Sequence, residues 1–144
     1  MLHRLDPNFS AAPQIALDDV ARARQAGIGF IVNNRPDGED PSAPQSADIE
    51  ARAKAEGLGY AYIPVTPGGF THAQVDALEA ILAEQADRNV PVLGYCRSGT
   101  RSTFLWALTR ARTGDDVDNL VAKAAQNGYD VTPIRAMMDA LANG

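Results

Sequence analysis

The residues best suited to chemistry in this sequence lie in one short segment, Cys96 to Ser102, which follows an apolar run ending at Tyr95. Cys96 is the only cysteine of the chain. The segment runs from an apolar strand through a small polar loop into the start of a helix. Backbone N–H groups without intrahelical partners should therefore surround the Cys96 side chain. Such groups and the partial positive charge of a helix start attract anions and stabilise a thiolate. We therefore interpret Cys96 as a nucleophile.

The other residues of this loop fit the same interpretation. Gly99 allows a backbone conformation that is closed to other residues. Arg101 carries a planar guanidinium, whose N–H groups can bind an anionic substrate or the carbonyl groups of the loop itself. We assign Cys96 and Arg101 to catalysis. Anion binding is assigned to the remaining loop residues and to one arginine on a separate loop: Arg97, Ser98, Gly99, Thr100, Ser102 and Arg35.

These residues also have ordinary structural interpretations. A cysteine that ends an apolar strand is often a small buried hydrophobic residue, although such a cysteine needs neither a glycine nor arginines beside it. Arg97 is expected to point to solvent and to attract anions without touching them. For Arg35, a salt bridge to Asp37 or Glu39 is the alternative to a place in the pocket.

Apolar patterning predicts the strands that position the loop. Strands are expected at residues 28–32, 60–65 and 90–95, with weaker support for one at 9–12. Residues 1–8 are interpreted as a frayed start.

Helices are predicted between these strands and after the last one. The predicted helices cover residues 16–26, 46–56, 71–87, the apolar segment that follows the Cys96 loop, a segment from 117 and a last one from 132. Thr71 and Gln74 form a capping-box pair at the start of the third of these helices. Strands that alternate with helices are typical of a mainly parallel sheet flanked by helices. We therefore predict a single α/β domain over residues 1–144, with the loops after strands 28–32, 60–65 and 90–95 on one rim.

The bulk composition limits the classes of partner. The chain has 144 residues and a net charge of −5, from 18 acidic and 13 basic residues, so neither nucleic acid nor an anionic membrane is expected to bind. No apolar run is long enough to span a membrane and no signal-peptide pattern is present, so a cytoplasmic location is expected. One cysteine excludes an internal disulfide and a resolving thiol. His3 and His72 lie far apart, so no metal site and no cofactor are predicted.

The Cys96 loop resembles two known signatures. Protein tyrosine phosphatases and dual-specificity phosphatases carry His-Cys, then five residues, then Arg, whereas rhodanese-type sulfurtransferases carry Cys-x-x-Gly-x-Arg-Ser. Cys96, Gly99, Arg101 and Ser102 match the second spacing, and Tyr95 replaces the phosphatase histidine. Since the loop is one residue shorter than the phosphatase signature, it is expected to form a tight ring around the sulfur, with Arg101 folded against it.

A longer pattern of three segments resembles one bacterial family. The segments are Asn-Asn-Arg-Pro-Asp-Gly-Glu at 33–39, Ile-Pro-Val-Thr-Pro-Gly-Gly at 63–69, and residues 96–106. They look like the family of phosphatase-like or rhodanese-like sulfurtransferase domains that occur alone or fused to metallo-β-lactamase-like persulfide dioxygenases. The resemblance spans about residues 3–110. It implies a fold like that of dual-specificity and tyrosine phosphatases, and a persulfide dioxygenase as a partner.

The loop and the resemblance together lead to a sulfurtransferase hypothesis. Cys96 would take the outer sulfur of thiosulfate or of glutathione persulfide and pass it to a low-molecular-weight thiol or cyanide. Residues 66–71, which match the acid loop of phosphatases, contain no carboxylate to serve as a general acid, and sulfur transfer has less need of one. Two alternatives stay open: a phosphatase that uses Cys96 through a cysteinyl-phosphate intermediate, and a non-catalytic module that binds persulfides or anions.

Overall fold

The computed structural model describes residues 2–144, and a five-stranded sheet lies at its centre. The strands are β1 (His3–Asp6), β2 (Phe9–Ala12), β3 (Phe30–Asn33), β4 (Gly59–Tyr62) and β5 (Val92–Tyr95), in the spatial order β1-β2-β5-β3-β4. Strands β2, β5, β3 and β4 run parallel, and β1 pairs with β2 in the antiparallel sense at one edge. The predicted mainly parallel sheet is confirmed.

Helices cover both faces of this sheet. They are α1 (Leu17–Gln25), α2 (Ser46–Ala55), α3 (His72–Asp87), α4 (Thr100–Arg112), α5 (Val117–Gln126) and α6 (Arg135–Asn143), with a 3-10 turn at Thr132–Ile134 before α6. Successive residues of a strand face opposite sides of the sheet. Ile31 accordingly packs in the cluster that contains residues of α1 and α2, whereas Val32 packs in the cluster formed with α3 to α6. Within residues 2–144, no helix has the length and apolar character needed to cross a membrane.

The predicted strands and helices agree with the structure apart from their ends. Strand β3 begins at Phe30, two residues later than predicted, and β4 ends at Tyr62 instead of at 65. The segment after β4 still runs beside β3, since the N–H groups of Ile63 and Val65 donate to the carbonyls of Asn33 and Asn34. Pro64 lies between them and has no N–H, which accounts for the early end of the ladder.

The prediction of a frayed chain start is wrong, because residues 3–6 form β1. The Asp6 carboxylate anchors this strand to α4. It accepts hydrogen bonds from Trp106 Nε1 at 2.8 Å and from Arg110 Nε at 3.0 Å. These partners lie 100 and 104 residues further along the chain, so no local pattern indicates them.

Helix α4 is the central helix of the larger core. Leu105, Trp106 and Leu108 are fully buried, and they belong to the apolar segment for which the sequence predicts a helix. The helix packs on β2 and β5 and against α3, α5 and α6. Its first turn lies close to the sheet at Gly94, where an added Cβ would lie 2.6 Å from Phe9 Cζ and 3.4 Å from Ser102 Cβ.

Candidate active site

The loops that follow β2, β3, β4 and β5 meet at one edge of the sheet. Ala12 and Asn33 both lie opposite Tyr95 in the ladder, and Tyr62 lies opposite Asn33, so the four strands end at the same level. Cys96 follows β5, the middle strand of the sheet, and therefore lies at the centre of this edge. The predicted rim is confirmed.

The Cys96 side chain is enclosed by its own loop and by the start of α4. The residue is fully buried, and its Sγ accepts a hydrogen bond from Gly99 N–H at 3.1 Å. Gly99 is the N-cap of α4 and has a φ of 92°, in the left-handed region that favours glycine. The predicted strand, loop and helix start is thus present, with an N–H group directed at the sulfur.

The Arg101 side chain extends from this loop to the loops after β3 and β4. Its Nη1 donates to Glu39 Oε2 at 2.9 Å and to the Val65 carbonyl at 2.7 Å, and its Nη2 donates to Glu39 Oε1 at 2.7 Å. Hydrogen bonding to Glu39 raises the pKa of Arg101, and the charge of nearby Cys96 adds to this effect. Arg101 does not fold against the carbonyls of its own loop, so that expectation is wrong.

One side of the Arg101 guanidinium is left for a ligand. A guanidinium has five N–H groups, of which Glu39 and Val65 take both on Nη1 and one on Nη2. The two that remain, Nε–H and the second Nη2–H, point in the same direction and can hold two oxygens of one oxyanion. Glu39 therefore orients the arginine, and neither Glu39 nor Val65 takes these two donors.

Glu39 also binds Arg35. Arg35 Nε donates to Glu39 Oε1 at 2.9 Å, and Arg35 Nη1 donates to Gln14 Oε1 at 3.1 Å. Hydrogen bonds from Arg101, and to a smaller extent from Arg35, lower the pKa of Glu39 to about 2. The structure thus places Arg35 in the salt bridge considered as its alternative, and Arg35 supports Arg101 through the shared carboxylate.

The other loop residues differ in where their side chains lie. Ser102 is buried, and its hydroxyl donates a hydrogen bond to Asn34 Oδ1 at 2.7 Å. Ser98 Oγ donates to Thr100 Oγ1 at 2.9 Å. Arg97 is exposed, as expected. Anion binding stays a prediction for all six residues to which the sequence assigns it: Arg97, Ser98, Gly99, Thr100, Ser102 and Arg35.

Three residues of this site are not among those that the sequence predicts. The sequence predicts Glu39 only as a partner of Arg35, although a carboxylate in a rim loop is a signal for a wider role. Asn34 accepts a hydrogen bond from the Ser102 hydroxyl and donates one through Nδ2 to the Ile63 carbonyl at 2.8 Å. These two hydrogen bonds join three rim loops. Tyr129 donates its hydroxyl hydrogen to the Ser98 carbonyl at 3.2 Å. No sequence signal indicated that Tyr129, which follows α5, would reach this loop.

Tyr95, which replaces the phosphatase histidine, lies away from the sulfur. It is buried in the smaller core together with residues of α1 and α2. Burial raises the pKa of Tyr95, and its hydroxyl has no hydrogen-bond partner among residues 2–144. Tyr95 therefore packs, and does not border the Cys96 sulfur. Residues 2–144 also hold no cluster of three or more His, Cys, Asp or Glu side chains suited to a metal ion.

Comparison with known sequences identifies a family. The sequence model described as "Beta-lactamase hydrolase-like protein, phosphatase-like domain" matches residues 1–113. A beta-lactamase hydrolase-like protein of Agrobacterium fabrum is 32% identical over 111 residues, which are 77% of this chain and 25% of that protein. The chain thus spans about a quarter of the length of the curated relatives that it matches.

Solved structures show the same fold. A candidate phosphatase from Neisseria meningitidis is 34% identical, with a TM-score of 0.80 over 96% of each chain. The structure of Tk-PTP in its active form has a TM-score of 0.80 over 99% of this chain and 96% of that chain at 14% identity, which shows the fold alone. The predicted fold, like that of tyrosine and dual-specificity phosphatases, is confirmed.

Proposed function

The chain belongs to the phosphatase-like domain family of beta-lactamase hydrolase-like proteins, and we propose from this that it hydrolyses phosphate monoesters with Cys96 as nucleophile. One observation supports this most directly. Glu39 orients Arg101 beside Cys96 and leaves two parallel N–H groups for the oxygens of a phosphoryl group. The comparisons favour this alternative over the sulfurtransferase that the loop spacing suggested.

In the first step the Cys96 thiolate attacks the phosphorus of the ester. The S–P bond forms while the bond from phosphorus to the leaving oxygen breaks, and the leaving oxygen takes that electron pair. Arg101 and the loop amides neutralise the charge on the three other oxygens, which is where the transition state carries it.

In the second step water attacks the phosphorus of the cysteinyl-phosphate. The new P–O bond forms while the S–P bond breaks, and the sulfur leaves as a thiolate with the electron pair. The water proton passes to solvent, and inorganic phosphate is released. Gly99 N–H, at 3.1 Å from Sγ, stabilises the departing thiolate.

Leaving groups should matter strongly for this enzyme. Residues 66–71 contain no carboxylate that could protonate the leaving oxygen. Aryl oxides leave without a proton, whereas alkyl oxides need one. We therefore expect hydrolysis of aryl phosphates such as p-nitrophenyl phosphate and much slower turnover of alkyl phosphates such as phosphoserine.

Sulfur transfer is the second candidate function. The missing carboxylate and the burial of Cys96 in a short loop favour it, because a single sulfur atom needs less room than a phosphoryl group. The Cys96 thiolate would attack the outer sulfur of thiosulfate or of glutathione persulfide, and the S–S or S–SO₃ bond would break with sulfite or a thiolate leaving. A low-molecular-weight thiolate or cyanide would then attack the outer sulfur of the Cys96 persulfide and displace the Cys96 thiolate. The comparisons lend this candidate no support, and a persulfide dioxygenase as partner stays a prediction.

One experiment separates the two candidates. The protein is mixed with p-nitrophenyl phosphate or with thiosulfate and cyanide, quenched with acid, and analysed by mass spectrometry. We expect turnover of the phosphate ester and a phosphoryl adduct on Cys96, both absent from a folded Cys96→Ser variant. A sulfur adduct on Cys96 together with faster thiosulfate turnover would overturn the phosphatase proposal.

A further inference from the structure

One peptide unit of the loop faces two different partners. The Ser98 carbonyl accepts a hydrogen bond from the Tyr129 hydroxyl at 3.2 Å, and Gly99 N–H donates to Cys96 Sγ at 3.1 Å. The carbonyl oxygen and the N–H of a planar trans peptide point in opposite directions. A contact that holds the oxygen on the outer side of the loop therefore holds the N–H on the side of the sulfur.

The backbone by itself selects this orientation only weakly. Gly99 has a φ of 92°, and a glycine that reaches the left-handed region also reaches other conformations at little cost. The peptide that joins Ser98 to Gly99 can therefore rotate away from the sulfur unless another group retains it. The Tyr129 hydroxyl lies directly against this peptide, since a Cβ added to Gly99 would overlap it.

The Tyr129 ring is itself held in place. It packs at the border of the larger core, and the His3 ring meets it edge-on, with 5.4 Å between ring centroids. Burial, and to a smaller extent the charge of Cys96, raises the pKa of Tyr129 above its ordinary value. The hydroxyl consequently keeps its proton and stays a donor to Ser98 throughout the pH range of ordinary assays.

The same contact affects the strength of the Gly99 donor. A hydrogen bond to a carbonyl polarises the peptide and makes its N–H a better donor. The sulfur carries negative charge when it attacks phosphorus and again when it leaves, so a stronger donor at Gly99 favours both transition states. The hydrogen bond from Tyr129 to the Ser98 carbonyl thus influences the sulfur through a single planar peptide.

We propose that Tyr129 is a positioning residue of the active site, which holds the peptide between Ser98 and Gly99 with its N–H directed at Cys96 Sγ. This inference deepens the proposed phosphatase function and rests on it. Tyr129 lies beyond residues 1–113, which match the family, so the segment after α5 contributes to the site.

The test uses the variant Tyr129→Phe, which keeps the ring and removes the hydroxyl. For p-nitrophenyl phosphate we expect kcat to fall about five- to tenfold, because this factor corresponds to the free energy of one neutral hydrogen bond. The KM should change by less than about twofold. In ¹H–¹⁵N spectra the Gly99 amide proton should move upfield, because its hydrogen bond to sulfur weakens. The melting temperature should change by no more than a few degrees.

Asn127→Ala is the matched control. Asn127 Nδ2 donates to the Arg4 carbonyl at 3.1 Å, so this variant loosens the same segment from β1 without removing the hydroxyl. We expect its kcat and Gly99 resonance to equal those of the wild type. An unchanged Gly99 resonance and kcat in Tyr129→Phe would refute the proposal, as would equal effects of the two variants.

The two readouts also separate this inference from the proposed function. The Gly99 resonance reports the position of the peptide whether or not the protein turns over phosphate esters. A wild-type protein without phosphatase activity would remove the proposed function, and a shifted Gly99 resonance in Tyr129→Phe would still establish that Tyr129 positions the loop.

Discussion

At the scale of single residues, Glu39 determines what Arg101 can do. Its carboxylate binds Arg101 through both oxygens, at 2.9 and 2.7 Å, and also binds Arg35 at 2.9 Å. A guanidinium held end-on in this way cannot rotate, and its remaining N–H groups keep one direction. Under the proposed function, a phosphoryl group would bind without rearrangement of the arginine.

The pH dependence of stability tests this arrangement. The pKa of Glu39 is about 2, against an ordinary value of 4.5. Because the pKa is lowered in the folded state, the contribution of Glu39 to the free energy of unfolding is complete above about pH 4.5 and is lost as the pH falls towards 2. We expect the stability advantage of the wild type over Glu39→Gln to shrink between these pH values in urea titrations.

Glu84→Gln serves as the control for that comparison. Glu84 pairs with Arg88 on the surface, where both side chains are more than half exposed, and such pairs contribute little to stability. The unfolding free energy of Glu84→Gln should equal that of the wild type at each pH, within the small contribution of such a pair. If the curves of Glu39→Gln and the wild type also run parallel from pH 6 to pH 2, Glu39 is not held as the structure shows.

At the scale of secondary-structure elements, the contact of β1 with α4 anchors the start of the chain. Among the strands of residues 2–144, β1 pairs with β2 alone, and an edge strand with a single neighbour detaches easily from its sheet. The Asp6 carboxylate, with a side chain only 7% exposed, ties β1 to Arg110 of α4 and also accepts from Trp106. Since α4 begins at the Cys96 loop, this contact also helps to fix the helix behind the site.

Removing the Asp6 carboxylate should destabilise the fold. Asp6→Ala leaves Arg110 and the Trp106 indole N–H without their acceptor in a mostly buried position, and we expect a loss of about 3 kcal/mol in the free energy of unfolding. Urea denaturation followed by tryptophan fluorescence measures this loss. Asp18→Ala breaks a more exposed ion pair with Arg52 and should lower the free energy of unfolding by less than about 0.5 kcal/mol. Equal costs for the two variants would contradict an anchoring role for Asp6.

At the scale of the whole molecule, residues after 113 complete the larger core. Leu120, Ala124, Ile134 and Met138 are all buried in the cluster that contains α4. The family match ends at residue 113, before α5 and α6. The matched segment therefore contains the Cys96 loop but lacks the helices that cover one side of α4.

A chain that ends after residue 113 should lose cooperative folding. Its α4 would expose apolar side chains that α5 and α6 bury in the complete chain, and burial of such area is the main stabilising contribution to folding. We expect a broad thermal transition by circular dichroism and strong binding of a hydrophobic dye. Deletion of the exposed residues 142–144 should leave the transition sharp. A sharp transition in both shortened chains would show that α5 and α6 are dispensable for folding.

Local features of the fold and of the site followed from the sequence. The alternation of strands and helices predicted the mainly parallel sheet and its active rim, since periodicity and turn residues act over a few positions. The Thr71 and Gln74 capping box forms as predicted, at 2.8 and 3.2 Å. Gly99 takes the left-handed conformation at the start of α4, beside Cys96. Each of these features depends on hydrogen bonds or backbone conformations within a short stretch of chain.

Only the tertiary structure decided which distant side chains complete the site. Glu39 reaches Arg101 from 62 residues away, Ser102 finds Asn34 at a separation of 68, and Tyr129 meets Ser98 at a separation of 31. The spacing within the loop alone favoured sulfur transfer and an arginine folded on its own loop. Periodicity predicts which strands exist, but the partners of a side chain depend on which loops the strand order brings together. Arg101 therefore binds Glu39 because β3 and β5 are neighbours in the sheet, a pairing that no local pattern encodes.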